Sequence, residues 1–245
     1  MPPIHGKHGA PRSPIPQRSF TNVYHRYALN IKAVPYKTQW VELPDVKSTR
    51  IAHNVDPVRK FPDNNDFYTL PMIHDTATST WIGDSFDIAV YLDEKYAGSG
   101  KTLFPPHTIG VHRVFNAHVD AMFTRHVQLC FQHMPLNPES AAQTRQEFAD
   151  RMHMEDWKQL CLEGEAREKA VQAFEAELED FAKMWRYGDQ GPFLEGEKMS
   201  YADVMVAAWL QFFKATVPEW EGIQRWQGGR WKRLLEALEP WAKQG

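Results

Sequence analysis

An acid and a hydroxyl stand side by side at Asp84 and Ser85, heading the run DSFDIAVYL (84–92). Nine residues earlier ends the apolar run YTLPMIHD (68–75), which carries Pro71 in its interior. A helix N-terminus offers free N–H groups and the positive end of a dipole, so it can hold a carboxylate. A neighbouring aspartate can hold an ammonium group. Asp84 and Ser85 together therefore suit an α-amino-acid end; plain N-capping is the other reading of the pair. Pro71 has no N–H and fits badly inside a paired strand. A trans proline on an edge strand is one solution. A cis Leu70–Pro71 bond is the other, because an X–Pro bond loses only about 0.5–1 kcal/mol on going cis. A cis bond would turn the Leu70 backbone outward, where it could pair with an extended peptide as an added strand does. Ser19 precedes the first helical segment. Its hydroxyl would point at the positive end of that dipole, which favours a bound thiolate, and it is also placed to cap the helix. Ser200-x-x-Asp203 has capping-box spacing, with Asp in place of Glu, and is read as structural.

These residues need elements to position them. Residues 19–33 place Val23, Tyr24, Tyr27, Ala28 and Ile31 on one helical face. After Pro35, YKTQWVEL (36–43) reads as a strand, and 44–66 as a polar loop with room for a short helix. TLPMIHD, the turn DTATS and TWIG form a hairpin signal. Asp84 or Ser85 then caps a helix whose Phe86, Ile88, Ala89, Leu92 and Tyr96 keep helical spacing. AGSGKTLFPPH (97–107) reads as a linker. Beyond it the periodicity is helical, over 114–131, 140–152, 164–185, 200–215 and 228–241. The segment 200–215 is nearly all apolar after its first turn and should be a buried central helix. The Glu/Lys/Arg face of 164–185 is a solvated face. The order is a mixed α/β unit of about 100 residues, then an all-helical unit of about 140.

Bulk properties exclude several classes. The net charge of −3 supplies no basic field for nucleic acid. Cys130 and Cys161 make no disulfide framework, which fits a reducing compartment. No apolar run reaches the roughly 18 residues of a membrane span, and the first 17 residues lack the apolar region of a secretory signal. A cytoplasmic protein is expected, with no membrane partner and no metal site. Nine tryptophans point to a large aromatic core.

The order of these signals resembles the glutathione transferase superfamily, whose members join a thioredoxin-like domain to a helical domain. TLPMI (69–73), DSFDIAVYLD (84–93), LFP (103–105) and GPFLEGEKMSYADVMVAAWL (191–210) carry the resemblance, which runs from about residue 19 onward. RYALNIKAVPYKTQWVELPD (26–45) and EGEAREKA (163–170) look more particularly like the fungal etherase-related class, itself similar to bacterial lignin β-etherases. The resemblance implies an α/β thioredoxin-like N-terminal domain and an all-α helical-bundle C-terminal domain. The bounds are an irregular segment 1–18, a glutathione-binding domain 19–97, a linker 98–107 and a helical domain 108–245. The family's first strand is apolar and central, in sheet order 2-1-3-4. Here its place holds PIHGKHGAP, so that strand is degenerate. Phe20 also stands where the family usually has a proline after the catalytic position.

Roles follow residue by residue from the resemblance. Leu70, with cis-Pro71, would pair its backbone with the cysteinyl part of glutathione, the co-substrate. Asp84 and Ser85 would hold the γ-glutamyl ammonium and carboxylate. Ser19 falls where related classes carry a catalytic Ser or Cys and would stabilise the thiolate. Lys60 is the candidate cation for the glycyl carboxylate. Phe20, Tyr24, Met122, Phe123, His126 and Trp209 are candidates for the electrophile site between the domains, and core packing is the other reading of each. A homodimer serving detoxification is implied, attacking aromatic electrophiles or cleaving aryl ethers. The alternatives are a non-catalytic binding protein for aromatic small molecules and a regulatory module on the same fold.

Overall fold

The computed structural model of the chain describes residues 23–61 and 63–242. Ser19, Phe20, the degenerate first strand and the side chain of Tyr24 lie outside the described residues. The first described element is α1 (Val23–Ile31). Tyr27, Ala28, Leu29 and Ile31 are buried on it, and it packs against α3 (Ser85–Lys95), α8 (Tyr201–Thr216) and α10 (Trp226–Ala242).

The expected strand over 36–43 is corrected. Tyr36 makes one bridge, 37–42 carry no regular structure, and a 3-10 turn spans Leu43–Asp45. Residues 37–40 are exposed. Strand preference expresses the fit of a side chain to a half-buried pleated surface, and among the described residues these side chains meet no such surface. The polar stretch that follows holds α2 (Val46–Ala52) and a short antiparallel pair, β1 (Arg59–Lys60) with β2 (Asp66–Phe67).

The expected hairpin is present. β3 (Met72–Asp75) pairs antiparallel with β4 (Thr80–Gly83), Met72 opposite Gly83 and Asp75 opposite Thr80. Its end is fixed to α3 by Asp75, which is fully buried and accepts from Tyr91 (2.6 Å) and Tyr96 (2.7 Å). Phe86, Ile88, Ala89 and Leu92 are buried on α3, as their spacing requires.

The stretch read as a linker crosses to the helices as packed chain. Asp93 accepts from the backbone N–H of Leu103 (3.0 Å) and Phe104 (3.1 Å) and from buried Lys32 (3.0 Å). Leu103 in turn accepts from the Tyr201 N–H at 2.8 Å. The helix expected over 114–131 is two: α4 (Ile109–Arg125) begins earlier and ends at His126, and α5 (Gln128–Phe131) follows at once. Then come α6 (Ala141–Arg151), a 3-10 turn (Trp157–Leu160), α7 (Gly164–Ala182), α8, α9 (Trp220–Ile223) and α10.

α8 is the central helix. The Ser200–Asp203 capping box closes its first turn, and Val204, Met205, Val206, Ala207 and Leu210 are all fully buried. Each large apolar side chain so buried contributes about 1.5–3 kcal/mol. Of the tryptophans, Trp185, Trp220 and Trp231 are buried in this core. Among the described residues no helix is long and apolar enough to cross a membrane.

Candidate functional site

The two opening motifs meet. The Leu70–Pro71 bond is cis, and the Pro71 carbonyl accepts from the Asp84 N–H at 3.3 Å. Among the described residues the Leu70 N–H has no acceptor, while its carbonyl accepts from the Thr69 hydroxyl at 3.1 Å. Asp84 sits in left-handed backbone, φ 75°, a conformation that costs a residue with a Cβ about 1–3 kcal/mol. The cap offsets that strain: Asp84 Oδ1 accepts from the N–H of Phe86 (2.8 Å) and of Asp87 (3.3 Å). Its other oxygen has no partner among the described residues. Ser85 opens α3, and its carbonyl accepts from the Tyr201 hydroxyl at 2.9 Å, so the head of α3 is anchored to the central helix.

Arg50 on α2 supports this loop from beneath. It is 2% exposed, donates from Nη1 to the Thr69 carbonyl at 2.7 Å and from Nη2 to the Asp56 carbonyl. Burial lowers its pKa, and the charge of Asp84 opposes the shift. Gly83 lets the guanidinium lie there, because a Cβ would collide with Arg50 Nη2 and Val55 Cγ1. Sequence reasoning missed Arg50; nothing in the sequence separates it from Lys47, Arg59 and Lys60 nearby.

Leu70, Pro71, Asp84 and Ser85 all line one cavity of about 580 Å³. α4 supplies a polar wall from Asn116, Asp120 and Thr124, which at i, i+4 and i+8 share a helix face. Burial raises the pKa of Asp120, the charge of Arg59 opposes this, and that of Asp84 adds to it. Trp40, Phe131, Phe148, Trp209 and Phe212 form an aromatic wall. The segment from α5 through α6 roofs the cavity and is tied to the N-terminal part twice. Glu42 accepts from Asn137 Nδ2 (3.0 Å) and from the Ser140 hydroxyl (2.8 Å). Arg151 donates to the Tyr68 carbonyl at 3.3 Å and lies 5.4 Å over the Phe67 ring.

The remaining candidates divide between the cavity wall and the core. Trp209 lines the cavity and stacks on Phe123, with centroids 5.5 Å apart. Met122 and Phe123 are themselves core residues, 1% and 0% exposed, and do not reach the cavity wall. His126 turns to Glu177, Nε2 to Oε2 2.5 Å, and is also off that wall. Lys60 is exposed beside Asp66 at 3.9 Å, whereas Arg59 lines the cavity. Successive strand residues point to opposite faces, so the cation at the wall is one position from the expected one.

Comparison with known proteins agrees with this architecture. Residues 25–95 match the family model described as glutathione S-transferase, N-terminal domain, and residues 110–241 match that described as glutathione S-transferase, C-terminal domain. The chain belongs to the glutathione S-transferase family. It is similar to the glutathione S-transferase-like protein ustS of Aspergillus flavus, 28% identical with 88% of this chain and 82% of the relative covered. Among solved structures, it resembles the glutathione S-transferase CsGST63524 of Ceriporiopsis subvermispora in complex with glutathione. The TM-score is 0.81 at 31% identity, over 91% of this chain and 90% of that one. Glutathione transferase GSTFuA2 of Phanerochaete chrysosporium gives 0.79 at 28% identity, over 93% and 92%.

Proposed function

We propose that the chain is a working glutathione transferase that joins the glutathione sulfur to aromatic electrophiles, including aryl ethers of the kind cleaved by the etherase-related class. One observation carries the reading: Leu70, whose N–H has no acceptor among the described residues, and Asp84, one of whose oxygens has no partner among them, line one cavity with an aromatic wall and are held together by the Pro71–Asp84 hydrogen bond. The residues present fit glutathione. Leu70 offers its backbone to the cysteinyl unit. Asp84 suits the γ-glutamyl ammonium, and Ser85, with its hydroxyl and N–H at the head of α3, suits its carboxylate. Arg59 on the wall takes the glycyl carboxylate in place of Lys60. Ser19 holds the sulfur as thiolate with its hydroxyl. Glutathione supplies the nucleophile: its sulfur forms a C–S bond to the electrophilic carbon as the bond to halide or phenolate breaks and that group leaves with the electron pair. Trp209 and Phe212 stack on the aromatic substrate. The exposed side chains of Val111 and Val114 on α4 support a homodimer, and a cytoplasmic location completes the proposal.

The test is turnover with a panel of halo-aromatics, isothiocyanates and β-aryl ethers. Conjugate that requires glutathione and falls sharply in Ser19→Ala is expected: a thioether with loss of halide or phenolate from the halo-aromatics and β-aryl ethers, and a dithiocarbamate by addition to the isothiocyanates. Glutathione binding without turnover on any panel member would contradict the catalytic reading. It would favour the second one, an aromatic-binding protein, for which the aromatic wall is the supporting observation.

A further inference from the structure

We infer that Thr144, in the roof of the cavity, reads a neutral oxygen substituent on the aromatic substrate, favouring phenols and aryl ethers over plain hydrocarbon rings. The inference rests on the aromatic-substrate reading above and names the substrate class within it. Thr144 lines the cavity from α6 and is 5% exposed. Among the described residues its hydroxyl has no hydrogen-bond partner, and it is shut off from solvent. A threonine inside a helix commonly gives that hydroxyl to the carbonyl four residues back. Thr49 and Thr216 do so in this chain, to Asp45 and Phe212, each at 2.7 Å. At Thr144 the equivalent carbonyl, that of Ser140, accepts from the backbone N–H at 2.8 Å, and the hydroxyl stays unspent. A buried hydroxyl left unpaired is unfavourable, and a ligand in the cavity can supply the missing partner.

The surroundings select the ligand. Thr144, Phe148, Arg151 and Met152 all line the cavity, and their spacing of i, i+4, i+7 and i+8 puts them on one face of α6. The Phe148 ring is fixed by two others, with centroids 5.5 Å from Phe131 and 5.8 Å from Trp157. Residues four apart on a helix have Cβ atoms about 5–6 Å apart, so a ring stacked on Phe148 brings a substituent within reach of Thr144. A hydroxyl donates, accepts and turns to suit its partner, so phenol and ether oxygens both satisfy it. A hydrocarbon ring of the same shape leaves it unpaired. Arg151, the charged member of this face, is already committed to Glu147 (3.0 Å) and to the Tyr68 carbonyl (3.3 Å). The face therefore selects a neutral oxygen rather than a carboxylate.

Equilibrium dialysis of the full chain with 2-naphthol and with 2-methylnaphthalene, which carry a hydroxyl and a methyl group at the same place, tests this. The ratio of the two affinities is compared between wild type and variants, so that the different hydration of the probes cancels. In Thr144→Val, which keeps the shape and loses the hydroxyl, the preference for naphthol should fall about threefold to tenfold. Its Tm without ligand should be unchanged or higher. Thr144→Ser, which keeps the hydroxyl, should retain most of the preference. A Val variant with the wild-type ratio, or a Ser variant that loses the ratio as fully as Val does, overturns the inference and leaves the aromatic reading standing. A clear fall in the Tm of Thr144→Val also overturns it, by showing that the hydroxyl serves the fold. A wild type that binds neither probe overturns both.

Discussion

Two aspartates cap two helices here, and they do so under different strain. Asp84 works from left-handed backbone and keeps one oxygen without a partner among the described residues. Asp203 is fully buried and spends both oxygens, Oδ1 accepting from the Leu194 N–H at 2.7 Å and Oδ2 from the Ser200 N–H at 2.8 Å. Burial nevertheless pushes the Asp203 pKa up, to about 6, against those hydrogen bonds. A carboxyl whose folded pKa is raised stabilises fully below its unfolded value of 3.8 and loses that contribution as pH rises through about 6. The loss attributable to Asp203 is about 3 kcal/mol, roughly two pKa units. Denaturant unfolding between pH 4 and pH 7 should show it as a difference in slope between wild type and Asp203→Asn. Parallel curves would mean that the hydrogen bonds hold Asp203 ionised throughout. At this scale the sequence was legible where a residue has a local signature. Pro71, the Asp84 cap and the Ser200–Asp203 box all have one. Arg50 and Thr144 have none, because their meaning comes from what burial leaves unpaired. Lys60 differs from Arg59 by one step of a pleat.

At the scale of elements, the roof over the cavity has the largest consequences. α6 is polar and only its Thr144 and Ala149 are buried, so packing alone holds it weakly. The Glu42 hydrogen bonds to Asn137 and Ser140 therefore carry much of its docking. Glu42→Ala leaves both donors without their acceptor and should cost about 1–3 kcal/mol. Amide exchange over 141–151 should speed up by tenfold or more, while exchange in the buried α8 stays as it is. Unchanged protection over 141–151 would show that the roof is held by its apolar contacts instead. None of this was visible in the sequence, which marks 140–152 as amphipathic without naming its partner. The hairpin and α3 were legible because periodicity and turn chemistry agree there. The segment 36–43 misled because its aromatic and branched residues indicate a strand only where a sheet receives them, and no sheet among the described residues does.

For the molecule as a whole, the site depends on both halves of the chain. The cis-Pro loop and the head of α3 come from the N-terminal part, while the polar and aromatic walls come largely from α4, α5, α6 and α8. The halves are joined by the Leu103 and Phe104 N–H groups on Asp93, by the Tyr201 N–H on the Leu103 carbonyl, and by the Tyr201 hydroxyl on the Ser85 carbonyl. A ligand that bridges them stabilises the whole fold by mass action, about 2.7 kcal/mol at a hundred times its Kd. The order of segments, α/β then helical, was readable from the start, since it needs only periodicity and punctuation. How the second part closes over the first was not, because long-range contacts leave no local trace. The central claim is that the cis-Pro loop and the Asp84 cap form one peptide site. Retention on immobilised glutathione measures it directly. Wild type should bind and elute with free glutathione, and Asp84→Ala, if still folded by its thermal transition, should pass through. A wild type that is not retained, or a folded Asp84→Ala retained as well as wild type, would contradict the account.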